Sequence, residues 1–186
     1  VWDGSVATAR YLEARAESGD AKVIHPDPPR VLELGAGTGL AGLSAAVATG
    51  LPVTLTDLPE VLPALERNTR LNPGVGDLVE VAELDWADPP PPEELGAPFG
   101  LLLASDCVWV EELIQPFVTT LERMAGPSTL VVMGYQSRSV RADRLLFGLL
   151  DEAGFKVELQ PPVTHEASKV KIYRMRKEGQ GGKGAE

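Results

Sequence analysis

The sequence predicts an α/β protein: a seven-stranded, mostly parallel sheet with helices on both faces and an antiparallel last strand. Three observations carry that expectation. Short apolar runs alternate with longer amphipathic stretches, the pattern of strand–helix–strand crossovers. A glycine-rich turn follows the first apolar run directly, where open parallel sheets hold ligands. The last two apolar runs follow each other with no helix between them, so the final strand returns antiparallel.

In chain order, Gly4–Arg15 has the spacing of an amphipathic helix. Val31–Leu34 and Val53–Thr56 are short, apolar and bounded by Gly, Asp or Pro, as buried strands are. Leu78–Leu84 alternates more loosely, while Leu101–Ala104 and Thr129–Met133 are solidly apolar; these make the third, fourth and fifth strands. Helical spacing recurs at Leu40–Ala48, Glu60–Leu71, Glu111–Met124 and Val140–Ala153, the last stopped by Gly154. Phe155–Leu159 and Val170–Met175 complete the sheet. Pro89–Pro92 with Glu93 and Glu94 reads as an extended polyproline loop. One domain spans residues 1–177, and the Gly-rich tail 178–186 has nothing to bury and is expected to be disordered.

Composition narrows the function. With 186 residues the chain suits a single core, and it begins at Val1 rather than methionine, as a piece of a longer protein would. A formal net charge of −10 argues against nucleic acid, which needs a positive face. No apolar run approaches the ~18–20 residues of a membrane span, so no membrane partner is expected. The single cysteine excludes an internal disulfide or a cysteine-based metal site, and points to a reducing cytoplasm or nucleus. No metal is expected, and the chain is expected to act as a monomer.

The strongest motif is VLELGAGTGLAG, Val31 to Gly42. Gly35, Gly37 and Gly39 permit positive φ and let a ligand approach bare backbone. Two cofactors compete for such a loop. Gly37, Gly39 and Gly42 fit the dinucleotide fingerprint, with Asp57 at the ribose position 20 residues after Gly37. Glu33 favours the other: a carboxylate at the strand end opposes a pyrophosphate but suits the ammonium and sulfonium of S-adenosyl-L-methionine. Asp57 serves either ribose. Downstream, Asp85 and Trp86 in ELDW supply an acceptor for an adenine amine and a ring to stack on the base.

Taken together, VWDGSVATARYLE, the glycine loop, LTDLPEVLPALERNTRLN, ELDW and ASDCVWVEELIQPFVTTLERMAG resemble methyltransferase family 16, over nearly the whole chain. Asp106-Cys107-Val108 matches the D-C-[IV]-Y pattern of its valosin-containing-protein lysine methyltransferase branch. The resemblance implies a Rossmann-like class I methyltransferase sheet, S-adenosyl-L-methionine as cofactor, and a protein lysine as acceptor. It implies that Trp2 closes over the methionine end, and that Gly35, Ala36 and Gly37 offer backbone to it. Asp57, with Leu58 beside it, would hold the ribose, Trp86 would flank the adenine, and Ser105 would touch the cofactor through its backbone. The family's D-x-x-Y acid and aromatic would line the amine channel.

Two departures fall on the acceptor side: Trp109 stands for the tyrosine, and Gln136 in Tyr135-Gln136-Ser137-Arg138 replaces an acid. The candidate acceptor site is therefore Asp106 to orient the ammonium, Trp109 as an aromatic wall, and Tyr135 as a contributor. Asp106 has a plainer alternative as a cap for the helix at Glu111. Cys107 reads as a small buried hydrophobe, His25 and His165 as surface residues, and Lys169, Lys171, Arg174, Arg176 and Lys177 as a solvated edge. A catalytically silent cofactor-binding module, a small-molecule methyltransferase and a nicotinamide oxidoreductase stay open as alternatives.

Overall fold

The computed structural model describes residues 1–162 and 169–178. His165 and all but the first residue of the expected tail lie outside them. Thirteen elements alternate: α1 (Asp3–Glu17), α2 (Ala21–Ile24), β1 (Val31–Leu34), α3 (Leu40–Thr49), β2 (Val53–Asp57), α4 (Leu62–Arg70), β3 (Val79–Glu83), β4 (Leu101–Ser105), α5 (Ile114–Met124), β5 (Leu130–Gln136), α6 (Val140–Glu152), β6 (Phe155–Leu159) and β7 (Val170–Lys177). The strand order is β3-β2-β1-β4-β5-β7-β6. The first five strands are parallel, with Val31 of β1 opposite both Val53 and Leu101, and β7 runs antiparallel between β5 and β6. The order reverses between β1 and β4, which opens a crevice at their carboxyl ends.

Side-chain alternation along the strands builds two cores. Leu32 and Leu34 of β1, Leu102 of β4 and Val131 of β5 face Phe117 and Leu121 of α5 and Leu146 and Leu150 of α6. Val31, Leu55, Leu101 and Val132 face the other way, onto Tyr11 and Leu12 of α1, Ala45 of α3 and Leu65 of α4. Glu33 shares its parity with Val31 and is carried into that second core.

Helix α1 buries one face, Gly4, Ser5, Thr8, Tyr11 and Leu12, against the sheet. Its approach to β5 is close enough that a Cβ on Gly134 would lie 2.4 Å from Thr8 Oγ1 and 3.1 Å from the Gly4 carbonyl oxygen. Gly134→Ala is therefore expected to push α1 off the sheet at a cost of about 1–3 kcal/mol. A melting temperature equal to that of the unaltered protein would show that α1 has room to shift.

The structure corrects three local expectations. Pro91 keeps an extended conformation, but Pro92–Leu95 closes a 3₁₀ turn instead of continuing as polyproline, because Leu95 is drawn into the core. The basic residues of the last strand do not line an edge. β7 lies inside the sheet, and Arg174 folds onto Tyr11 and Asp20 while Lys177 reaches the Glu122 carbonyl at 2.9 Å. Glu111–Leu113 is a 3₁₀ turn ahead of α5 rather than its first turn, and Pro116 then sits where a helix-start N–H has no partner anyway. No helix among the described residues is long and apolar enough to cross a membrane.

Candidate active site

The carboxyl ends of β1 to β4 surround one cavity of about 490 Å³, within the size range of small-molecule sites. It is lined by Gly35 to Thr38 from the glycine loop, by Asp57, Leu58, Asp85 and Trp86 after β2 and β3, by Ser105, Asp106, Cys107 and Trp109 at and beyond the end of β4, and by Trp2 ahead of α1. Eleven of the fourteen candidate residues from the sequence line this crevice; Glu33, Gly39 and Tyr135 do not.

The glycine loop turns on positive φ at Gly35 (63°), Gly37 (56°) and Gly39 (81°). A Cβ on Gly35 would meet Cys107 Cβ at 2.9 Å and a Trp86 ring carbon at 3.2 Å, whereas one on Gly37 would meet nothing within 4 Å. Gly37 thus presents open backbone to the cavity. Gly39 does not line it: the residue caps α3, and its Cα faces Leu65 and Leu55 in the core. Asp57 pins the loop from the end of β2, its Oδ2 accepting from Gly37 N at 2.7 Å and its Oδ1 from Leu58 N at 2.8 Å. Asn68 of α4 adds a second anchor by donating to the Thr38 carbonyl at 3.0 Å. Nothing in the sequence reading singled out Asn68; its only signal is its helical register with Leu65, which packs beneath the same loop.

Glu33 is the clearest correction. It is 1% exposed and does not line the cavity, and its Oε2 accepts from Gly42 N at 2.8 Å beneath the loop. Burial pushes its carboxyl up to about 8, opposed by the Gly42 hydrogen bond and assisted by the negative charge of Asp57. The parity of β1 dictates this placement, so Glu33 ties α3 to β1 instead of facing a ligand.

Trp86 is held edge-on against Phe117 of α5, with centroids 5.3 Å apart, which fixes its ring at the cavity wall. Asp85 is exposed at the rim and its Oδ1 accepts from Ala87 N at 2.8 Å. Ser105 ends β4, and its hydroxyl donates to Thr8 Oγ1 at 3.0 Å, tying α1 to the floor.

Just beyond β4, Asp106 adopts a left-handed backbone (φ 54°) and its side chain is almost fully buried. It neither caps the Glu111 turn nor stands free: Oδ1 accepts from Arg138 Nη2 at 2.7 Å. Cys107 beside it remains a thiol, its pKa raised to about 12 by burial. Trp2 and Trp109 are 67% and 61% exposed, large apolar surfaces with no packing role at the mouth. Tyr135 does not reach the cavity. It is buried and donates to Asp143 Oδ1 at 2.8 Å, and burial followed by this bond raises its pKa. The reason is again parity, since Tyr135 shares the face of Val131 and Met133 and points into the α6 core. No group of three or more His, Cys, Asp or Glu among the described residues is placed to hold a metal ion.

Comparison with known proteins agrees with this architecture. Residues 1–153 match the lysine methyltransferase family Methyltransf_16. Over 148 residues the chain is 34% identical to protein N-lysine methyltransferase METTL21A of Danio rerio, covering 78% of this chain but 64% of that protein. Over 176 residues it is 30% identical to EEF1A lysine methyltransferase 3 of Mus musculus, covering 95% of this chain and 71% of that one. Among solved structures, magnesium protoporphyrin IX methyltransferase ChlM from Synechocystis PCC 6803 with bound SAM superposes with a TM-score of 0.66 at 14% identity, over 93% of this chain and 81% of that one. That last likeness is one of fold, the seven-stranded sheet of the class I methyltransferases. Since the family match takes in the glycine loop, the Asp57 anchor and the Asp106–Trp109 segment alike, this chain belongs to the lysine methyltransferase family.

Proposed function

We propose that this cavity binds S-adenosylmethionine and that the protein transfers its methyl group to the ε-amine of a lysine on another protein. The observation that carries the reading is the continuity of one cavity from Gly37, Asp57 and Trp86 to Asp106 and Trp109. The residues suit the cofactor: bare backbone at Gly37, a carboxylate at Asp57 for ribose hydroxyls, and a wedged ring at Trp86 for a base. When bound, S-adenosylmethionine supplies a methyl group on a sulfonium, a good leaving group that needs no metal or strong acid.

The protein's share is alignment and desolvation. The site would have to deliver the lysine as a neutral amine, its extra proton lost to solvent, with the nitrogen lone pair aimed at the methyl carbon; the cofactor would supply that methyl group, its sulfur keeping the electron pair of the S–C bond. An apolar channel favours the neutral amine, whose ordinary pKa is near 10.4. Trp109 offers its π face to the approaching cation. Trp109→Ala is expected to lower kcat/KM about tenfold, while Trp109→Tyr, which restores the family residue, keeps most of it; methyl incorporation at fixed protein substrate measures both. The acidic chain suits a basic acceptor, and its single cysteine suits a reducing compartment.

The decisive experiment is transfer of radiolabelled methyl from S-adenosylmethionine into a methyltransferase-depleted lysate, followed by identification of the labelled residue. Label on arginine, histidine or RNA refutes the lysine reading. Trp109 and Gln136 favour a second reading, a silent cofactor-binding module; equal affinity for S-adenosylmethionine and S-adenosylhomocysteine with no transfer would support it. Within the family, Asp106-Cys107-Val108 supports a place beside the valosin-containing-protein methyltransferases. The relative named for EEF1A supplies the rival acceptor. Purified valosin-containing protein and EEF1A are the two acceptors to compare first.

A further inference from the structure

We infer that Arg138 is a positioning residue that neutralises Asp106, so that the acceptor end of the cavity admits the uncharged amine in preference to the ammonium; the inference rests on the lysine reading above. Asp106 is the one non-glycine residue with positive φ among the described residues, and its N–H donates to the Gly134 carbonyl at 2.7 Å. Gly4 of α1 packs so closely on Asp106 that a Cβ there would clash with the Asp106 Cβ, so α1 fixes the base of this side chain. Held this way, it meets Arg138 Nη2 at 2.7 Å, with 1% of the Asp106 side chain and 32% of the Arg138 side chain exposed.

Arg138 is itself held from behind. Tyr135 and Ser137 donate to the two oxygens of Asp143, at 2.8 and 2.7 Å, and Ser139 caps α6 by accepting from Ala142 N at 3.0 Å. The loop carrying Arg138 is therefore pinned at three side chains within five residues. This gives Tyr135 a purpose other than lining the amine channel: it fixes the loop that delivers the guanidinium.

The chemical consequence follows from charge. A buried carboxylate without a partner would take the incoming ammonium as its counter-ion and raise the pKa of the amine. That is the wrong direction for a nucleophile. Paired with Arg138, the site is neutral, and the guanidinium opposes a second cation. The other charged groups nearby do not replace it. Asp57 is engaged by the Gly37 and Leu58 N–H groups and Asp85 by Ala87 N, Glu33 is sealed under the loop, and Cys107 is a thiol. Tyr135, Asp143 and, through Asp143, Tyr173 surround Arg138 from β5, α6 and β7, and Arg141 on α6 is occupied with Glu111 at 2.9 Å.

The test uses the protein saturated with S-adenosylhomocysteine, and n-butylammonium as the side-chain mimic. At pH 6.5, Arg138→Gln is expected to bind the mimic at least about tenfold more tightly than the unaltered protein, because an opposite charge no longer compensated shifts an amine by a unit or more. Arg138→Lys, which keeps the charge, restores the weak binding. The double variant Asp106→Asn, Arg138→Gln returns the site to neutrality and also restores it, which lost packing would not do. In turnover at saturating substrate, the acid limb of the kcat profile of Arg138→Gln moves up by about one pH unit or more. Equal affinity for the mimic in the unaltered protein and Arg138→Gln overturns the inference, as does a loss of turnover uniform across pH. The expected mimic binding without any methyl transfer would leave the electrostatic role standing and refute the methyltransferase reading instead.

Discussion

Between pH 5 and pH 8 the protein is expected to lose stability on the order of 4 kcal/mol through Glu33 alone, and Glu33→Gln is expected to remove that slope. In the folded protein, burial keeps the carboxyl protonated up to about 8, against an ordinary value of 4.5. In the unfolded chain the same group ionises near that ordinary value. Between the two, the folded state holds more protons, so stability is fully present below about 4.5 and is lost as pH rises through about 8. The raised Cys107 thiol contributes in the same sense, but only above its ordinary value of 9, so it leaves this window clean. Urea unfolding at pH 5, 6.5 and 8 measures the effect. Glutamine sets only an offset, since it also can accept from Gly42 N, and the difference in slope is what matters. Parallel stability profiles for the two proteins would falsify a buried, protonated Glu33.

Asp57→Ala is expected to raise the Kd for S-adenosylhomocysteine about 100-fold or more, roughly 3 kcal/mol. The side chain does two things that fail together. Its oxygens hold the Gly37 and Leu58 N–H groups at 2.7 and 2.8 Å, so the loop loses its tether. In the proposed function the same carboxylate accepts from ribose hydroxyls, and hydrogen bonds to a charged group are the costly ones to lose. Because Asp57 is only part-buried, water can replace its bonds in the free protein, and the melting temperature without ligand should move by only a few degrees. Calorimetric titration gives the Kd, and ligand-induced stabilisation checks it independently. An unchanged Kd would place the ribose elsewhere. Thermal protection of the unaltered protein by NADH but not by S-adenosylmethionine would return the loop to the dinucleotide fingerprint it also fits.

The strand ends at Gly35, Asp57, Asp85 and Ser105 were legible because crossover topology places every parallel carboxyl terminus on one edge. Trp2, Trp86 and Trp109 were legible as aromatics at motif positions, and all three line the cavity. Glu33, Gly39 and Tyr135 were assigned to the site by motif proximity and are not on its surface. For Glu33 and Tyr135 the missed signal was in the sequence itself: counting by two from Val31 and from Val131 sends both into a core. Gly39 needed knowledge of where Leu65 of the next helix packs.

What the sequence determined by itself is what short-range physics controls: strand and helix periods, glycine turns, the order of motifs along the chain and the family they resemble. Only the tertiary structure decided what pairs with what. Arg138 reaches Asp106 across 32 positions, Arg174 reaches Tyr11 and Asp20 across more than 150, and β7 inserts between β5 and β6. No periodicity encodes such pairings. They arise when separate elements dock, and each buried charge must then find its partner in that packing or change its protonation state, as Asp106 and Glu33 respectively do.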